Sequence, residues 1–317
     1  MQRLIHCRAR IALAALACVV STVVGAREAD ILWRNSTTGQ TVIWRSANSL
    51  DVRVGTTVPD RDWQVVGSGD FTNAGTPAAI VWRHRTNGRN VIWFGGEASG
   101  SVAITTVANQ AWRVGGIADF DVDGGDDILW HDQSTGRSTI WRLGFSAYQI
   151  PVATVLSPDW TIAGVGEFDG DGRADIVWRN TRSGRNVIWR SGQVANTRVL
   201  ATVPNPAWTI AGIGDFDGDS HDDLFWRNTT TGGNTIWLSG NATTQRAVAT
   251  VPDLLWRVAG VADFNGDNRD DVLWRHAATG RNVIWRSADA TILTAVTPVS
   301  LAWDVAAVAD FDGAWDY

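Results

Sequence analysis

Lysine is missing from all 317 residues, and each of the 27 basic side chains is an arginine. A Schiff base or a lysine general base is therefore excluded. Cysteine occurs only at Cys7 and Cys18, and methionine only at Met1. Past residue 26 there is no thiol, which excludes disulfides, thiolate catalysis and thiolate–metal sites. Long apolar runs are scarce too. The stretch from Ile11 to Val24 is too short to span a bilayer, follows Arg3, Arg8 and Arg10, and runs into the small residues Val24-Gly25-Ala26. That order of basic head, apolar stretch and small residues is the pattern of a cleaved secretory signal peptide. We expect residues 1–26 to be removed. Residues 27–317 are then a single soluble domain without a membrane span, secreted to the periplasm or the cell exterior. Ala15-Leu16-Ala17-Cys18 resembles a lipoprotein cleavage site only weakly, since Ala stands where a larger aliphatic is usual.

From residue 27 onward 24 arginines face 33 acids, a balance of −9. Eighteen of those acids crowd into four short turns, and one divalent cation per turn would bring the balance to about −1. The acidity reads as metal ligation. No arginine-rich run suggests a nucleic-acid partner.

Tryptophan, by contrast, is abundant and periodic. Trp33, Trp82, Trp130, Trp178, Trp226 and Trp274 stand 48 or 49 residues apart, a second Trp follows each after 11 residues, and a third after 29 or 30. Eighteen of the 19 tryptophans obey this rule, so the chain is an array of six units of about 48 residues. In the copy from Trp160, four short β-rich runs alternate with turns and no helical period appears. Four strands per unit describe a propeller blade.

Gly39, Gly88, Gly136, Gly184, Gly232 and Gly280 each follow the first Trp by six residues, after a Thr, Asn or Ser. A two-residue hairpin turn at Ser183-Gly184 would set Trp178 directly opposite Trp189. After the third Trp, small residues alternate, as at Gly164 and Gly166 or Ala307 and Ala309. That strand is expected innermost, where blades converge. The array begins within a unit at Asp30-Ile31-Leu32-Trp33 and ends within one at Trp303–Phe311. The fold class expected is therefore all-β: a six-bladed β-propeller of four-stranded blades, its ring closed by one blade shared between the two ends.

Four turns carry oxygen ligands at positions 1, 3, 5 and 9. They are Asp119, Asp121, Asp123 and Asp127; Glu167, Asp169, Asp171 and Asp175; Asp215, Asp217, Asp219 and Asp223; and Asp263, Asn265, Asp267 and Asp271. Alternate residues in a tight loop can converge on one Ca²⁺, which takes six to eight oxygens, and without a cation the carboxylates would repel. The loops are not EF-hands, because position 12 is Trp130, Trp178, Trp226 or Trp274 in place of a bidentate Glu. About four structural calcium ions are expected. The turn with Asp70, Thr72, Ala74 and Ala78 keeps one carboxylate and should bind none. In the shared blade, Asp310, Asp312, Ala314 and Asp30 predict a weak or vacant site.

The run Gly212-Ile213-Gly214-Asp215-Phe216-Asp217-Gly218-Asp219, followed by Asp223-Leu224-Phe225-Trp226-Arg227-Asn228 and echoed in the other units, resembles the FG-GAP/VCBS repeats, bacterial relatives of the integrin α-subunit propeller. The resemblance implies a propeller with calcium in the turns leaving the inner strands, and a family of adhesion modules, lectin-like modules and appendages of secreted enzymes. Six units depart from the seven blades of the integrin propeller. Such membership leaves the ligand open.

Two bases for ligand binding compete with structural readings of the same residues. The tryptophans could be sugar platforms, but three per blade are expected in the core. Arg34, Arg83, Arg179, Arg227 and Arg275 follow the first Trp, and Arg45, Arg142, Arg190 and Arg286 the second. Alternation puts both sets opposite the Trp pair, where stacked blades would make cation–π contacts. Catalysis finds no motif: His84 and His276 share a repeat position, His131 lies next to it, His221 lies in an acidic turn, and the clustered carboxylates are used as ligands. We therefore expect a non-enzymatic, monomeric calcium-binding scaffold for a protein or glycan ligand, or alternatively a multivalent lectin with sugar sites between blades.

Overall fold

The computed structural model describes residues 28–72 and 77–313; residues 1–26, expected to be a signal peptide, and the positions of Ala74 and Ala314 lie outside them. Six four-stranded antiparallel sheets form a ring, and we number the blades from the shared one. Blade one takes its innermost strand from Trp303–Ala309 and its other strands from Asp30–Asn35, Thr41–Trp44 and Val52–Val54. Blade two starts at Trp63–Gly69, blade three at Trp112–Ala118, blade four at Trp160–Gly166, blade five at Trp208–Gly214 and blade six at Trp256–Ala262. Each innermost strand touches the innermost strands of both neighbours, so the ring closes.

The second strand of each blade explains the packing. In blade four it runs Asp175–Asn180 and is buried throughout. Ile176 and Trp178 pack into a core with Phe120, Leu129 and Ile140 of blade three. Val177 instead joins Leu224, Trp226 and Trp237 of blade five. A strand sandwiched between two neighbours must be apolar on both faces, which is why Ile-Val-Trp is continuous where a half-exposed strand would alternate. Six such cores lie between blades, each plugged by the turn phenylalanine: Phe71, Phe120, Phe168, Phe216, Phe264 or Phe311, all at most 4% exposed.

The hairpin register differs from the expected one by two residues. Trp178 pairs with Val187 and Ile176 with Trp189, so the tryptophans meet diagonally, ring centroids 5.0 Å apart. The reason is a longer turn: Gly184 N–H donates to the Asn180 carbonyl at 2.8 Å and Asn180 N–H to the Arg185 carbonyl at 2.8 Å. Gly184 ends that turn at φ +74°, and a Cβ there would collide with the Val203 carbonyl. A slip of two keeps both rings on one face, so the Trp pair survives the change of register.

The acidic turns are chained around one end of the ring. In all six junctions the backbone N–H just before the second strand donates to the carbonyl of turn position 1 in the preceding blade: Ala29 to Asp263, Ala78 to Asp310, Asp126 to Asp70, Ala174 to Asp119, Asp222 to Glu167 and Asp270 to Asp215, at 2.5–2.7 Å. Three junctions add a reciprocal bond, because the carboxylates of Asp126, Asp222 and Asp270 accept the N–H of Asp70, Glu167 and Asp215. Their space is left by Gly69, Gly166 and Gly214. Where the donor residue is Ala29, Ala78 or Ala174, the facing residue is Ala262, Ala309 or Ala118. Glycine thus goes with aspartate and alanine with alanine at every junction.

A Cβ on Gly214 would collide with the Asp270 carboxylate and with Val261. Gly214→Ala should therefore lower unfolding free energy in urea by about 1–3 kcal/mol. Adding Asp270→Ala recreates the pairing of Ala118 with Ala174 and should recover at least half of the loss. Simple additivity of the two substitutions would show that the pair is not coupled.

Candidate metal centres

Each acidic turn joins the innermost to the second strand, and its geometry is set first by position 9. The carboxylate of Asp175 accepts Phe168 N–H with one oxygen at 3.2 Å and Ser191 N–H with the other at 2.7 Å. Asp127, Asp223, Asp271 and Asp30 do the same with the corresponding Phe and with Leu143, Ser239, Ser287 and Ser46. The acceptor ties the turn to the 3-10 turn that follows the third strand. Position 1 caps the turn from within: Asp215 accepts the N–H groups of Asp217, Gly218 and Ser220, and Asp263 those of Asn265, Gly266 and Asn268.

Positions 1, 3 and 9 converge. Asp119, Asp121 and Asp127, then Glu167, Asp169 and Asp175, then Asp215, Asp217 and Asp223 each place one carboxylate oxygen apiece within 4.8 Å of the others. Asp30, Asp310 and Asp312 of the shared blade make the same arrangement, although Asp312 also pairs with Arg45 at 3.1 Å. Position 5 is not part of these clusters but stays beside position 3, for Asp267 accepts the Asn265 amide at 3.0 Å. Asp123 meets Arg142 at 3.1 Å, Asp171 accepts the Ser191 hydroxyl at 2.9 Å, and Asp219 and Asp267 accept His221 and Arg269 N–H. In blade two, one extra residue in the turn puts Ala79, and not Ala78, at the position that Asp127 holds in blade three.

The donor set fits a hard cation. One position-3 oxygen of Asp169, of Asp217 and of Asn265 is buried with no hydrogen-bond partner among the described residues, and a bare buried oxygen is costly unless something binds it. Burial pushes the position-9 carboxyls of Asp127, Asp175 and Asp223 up to about 7, and that of Asp30 to about 6. Arginine supplies part of the missing charge. Arg142 pairs with Asp121 and Asp123, Arg190 with Asp169 at 3.1 Å and Arg286 with Asp271 at 3.1 Å. The arginines after the second Trp therefore serve the acidic turns and do not stack between blades. Those after the first Trp do stack. Arg34, Arg83, Arg179, Arg227 and Arg275 lie 4.8–5.0 Å from the rings of Trp82, Trp130, Trp226, Trp274 and Trp33 in the next blade.

A pH test follows from the buried carboxyls. Their pKa values are raised above the unfolded value near 3.8, so the ion-free fold binds protons that the unfolded chain has lost. Stability of the chelated protein should fall as pH rises from about 4 to about 7. A bound cation requires ionised ligands and should reverse that slope. Urea midpoints at pH 5 and pH 8, with and without divalent ions, check both signs.

Two overlapping segments, 167–226 and 215–274, match the model of the FG-GAP-like repeat; they run from the turn of blade four to the second strand of blade six. No curated protein matches the sequence. Among solved structures, a chain of a nidogen–laminin complex is similar at a TM-score of 0.59 and 13% identity, over 88% of this chain and 97% of that one. A streptogramin B lyase is similar at 0.51 and 7% identity, over 88% and 85%. Likeness at such identities carries the fold and no chemistry. Residues 167–274 thus carry FG-GAP-like repeats, set in a closed ring of six blades whose other units share their spacing.

Proposed function

We propose that this propeller is a secreted, calcium-stabilised scaffold that binds a protein or glycan partner without catalysis. The observation that carries the metal half is the set of orphaned position-3 oxygens on Asp169, Asp217 and Asn265, the first two inside converging all-oxygen groups. Oxygen-only ligation with flexible geometry suits Ca²⁺ better than the softer transition metals. Positions 1, 3 and 9 would supply ligands in blades three to six. Calcium there would neutralise the turns and lock the chained junctions beneath them. Secretion rests on the Arg-headed apolar segment before residue 27. Among the described residues no helix is long and apolar enough to cross a membrane.

The binding half rests on the architecture. A rigid ring with near-identical blades presents its loops on a fixed frame, as propellers that hold partners do. The lectin alternative loses support from the inter-blade arginines. Arg83, Arg179 and Arg227 are buried and hydrogen-bonded to the next blade, and the six first tryptophans are at most 1% exposed. Sugar would have to use the half-buried third tryptophans, such as Trp160.

Calorimetric titration should count about four calcium ions, and a hundredfold excess over Kd should add roughly 2.7 kcal/mol of stability per independent turn. Chelation should lower Tm clearly; an unchanged melt would remove the metal half. On a glycan array, sugar-blocked binding that survives Trp178→Phe and disappears on substituting Trp160 would bring the lectin reading forward.

A further inference from the structure

One blade junction breaks the arginine rule. At the other five, the arginine after the first Trp does three things. Its guanidinium lies over the next blade's first Trp, Nη1 reaches an Asn on the third strand in four of them, and the guanidinium donates to a carbonyl on the connection and to that of the Trp opening the next blade's innermost strand. For Arg179 those partners are Asn186 at 2.8 Å, the Val203 carbonyl at 3.1 Å and the Trp208 carbonyl at 3.0 Å. Arg83, Arg227 and Arg275 repeat the pattern with Val107 and Trp112, Val251 and Trp256, and Val299 and Trp303. Arg34 reaches the carbonyls of Val58 and Trp63.

Between blades three and four the arginine is His131 and the Asn is Ser138, so both members of the pair change together. The imidazole keeps the inner half of the job. Its Nδ1 meets the Ser138 hydroxyl at 2.9 Å, and its ring stands edge-on to Trp178 at 5.3 Å. It is too short for the outer half. Among the described residues the Val155 carbonyl accepts no hydrogen bond from the backbone of turns and loops or from any side chain, and no side chain donates to the Trp160 carbonyl. A cleft of about 440 Å³ opens there, lined by His131, Gly136, Val155 and Trp160 among others. Arg113 also borders the cleft, but its guanidinium donates to the Gln110 carbonyl.

The geometry points to this cleft as a binding site for a guanidinium or primary ammonium group carried by a ligand. The argument is internal to the molecule: the same two carbonyl positions hold a guanidinium in each of the five other junctions, and here the chain withdraws its own. Backbone carbonyls accept cationic N–H donors as they do from those five arginines, while the cleft's tryptophan is Trp160, over which Arg185 lies at 5.9 Å, and Trp178 meets the His131 ring instead. Burial lowers the pKa of His131, which keeps the ring neutral beside a cation. Two carbonyl acceptors and no anion, with Arg113 and Arg185 close by, favour a modest, orientation-specific contact, suited to an exposed arginine side chain on a partner. The site does not depend on whether the acidic turns hold ions.

The test uses Nα-acetyl-argininamide as probe against residues 27–317, read by calorimetry and by NMR shifts of the Trp160 indole. Saturable one-site binding with Kd on the order of 1 mM is expected, a value appropriate to a single charged group. Its neutral analogue Nα-acetyl-citrullinamide should bind at least about tenfold more weakly, a difference of 1.4 kcal/mol. His131→Arg restores the residue used at the other five junctions, so it should fold, fill the cleft and abolish binding. His131→Ala widens the cleft and should retain binding. Absence of saturable binding, equal binding of the citrulline analogue, or undiminished binding to His131→Arg would each overturn the assignment.

Discussion

A ring of repeated wedges is only as stable as its junctions, because each wedge buries both faces and has no core of its own. In this chain every junction is built from the same parts: a bond from the backbone before the second strand to the preceding acidic turn, a phenylalanine plug, and a residue after the first Trp that crosses to the next blade. The backbone bonds are chained through all six blades and include the junctions that join the two ends of the array, Ala29 to Asp263 and Ala78 to Asp310. Closure therefore does not depend on one special seam. The shared blade is held by the same contacts as the others.

Charge is divided by position. Arginine after the first Trp is buried between blades and satisfied by carbonyls, where stacking on Trp adds roughly 0.5–2 kcal/mol per contact. Arginine after the second Trp reaches the acidic turns, where it faces Asp121, Asp169, Asp271 or Asp312. One residue type in two neighbouring repeat positions thus does two unrelated jobs. The second set also sets a competition: a cation entering a turn must share or displace a guanidinium that already offsets part of the carboxylate repulsion. Blade five has Leu238 there in place of arginine, and Arg246 approaches from the outermost strand to reach the Phe216 carbonyl.

Much of the fold was legible in the sequence because its period was. Tryptophan spacing gave six units, four β-runs per unit and the innermost strand, and the broken first and last units gave the shared blade. The hairpin register was not legible: Ser183-Gly184 suits a two-residue turn as well as the end of a longer one, and only the Gly184 N–H bond to Asn180 distinguishes them. The extra residue in the turn of blade two was visible in the 49-residue interval, yet its effect, moving Ala79 into position 9, needed the strand pairing. The clustering of carboxylates at positions 1, 3 and 9 was readable from their spacing. The partners of position 5 were not, because they include Arg142 and Ser191, some 20 residues away.

The junction aspartates show where repeat sequences hold more than a motif scan extracts. Asp126, Asp222 and Asp270 look like surplus acids in acid-rich turns, and Gly69, Gly166 and Gly214 look like generic small residues. Aligned by blade and offset by one unit, they become a pair that changes together: a carboxylate is present only where the facing Cβ is absent. The same reasoning singles out His131 and Ser138, which stand at one junction of six where four others have an arginine and its Asn partner. A repeat protein supplies its own comparison set. A departure that changes two touching residues at once, while leaving the receiving carbonyls in place, marks the junction at which the ring can accept from outside the group it elsewhere provides for itself.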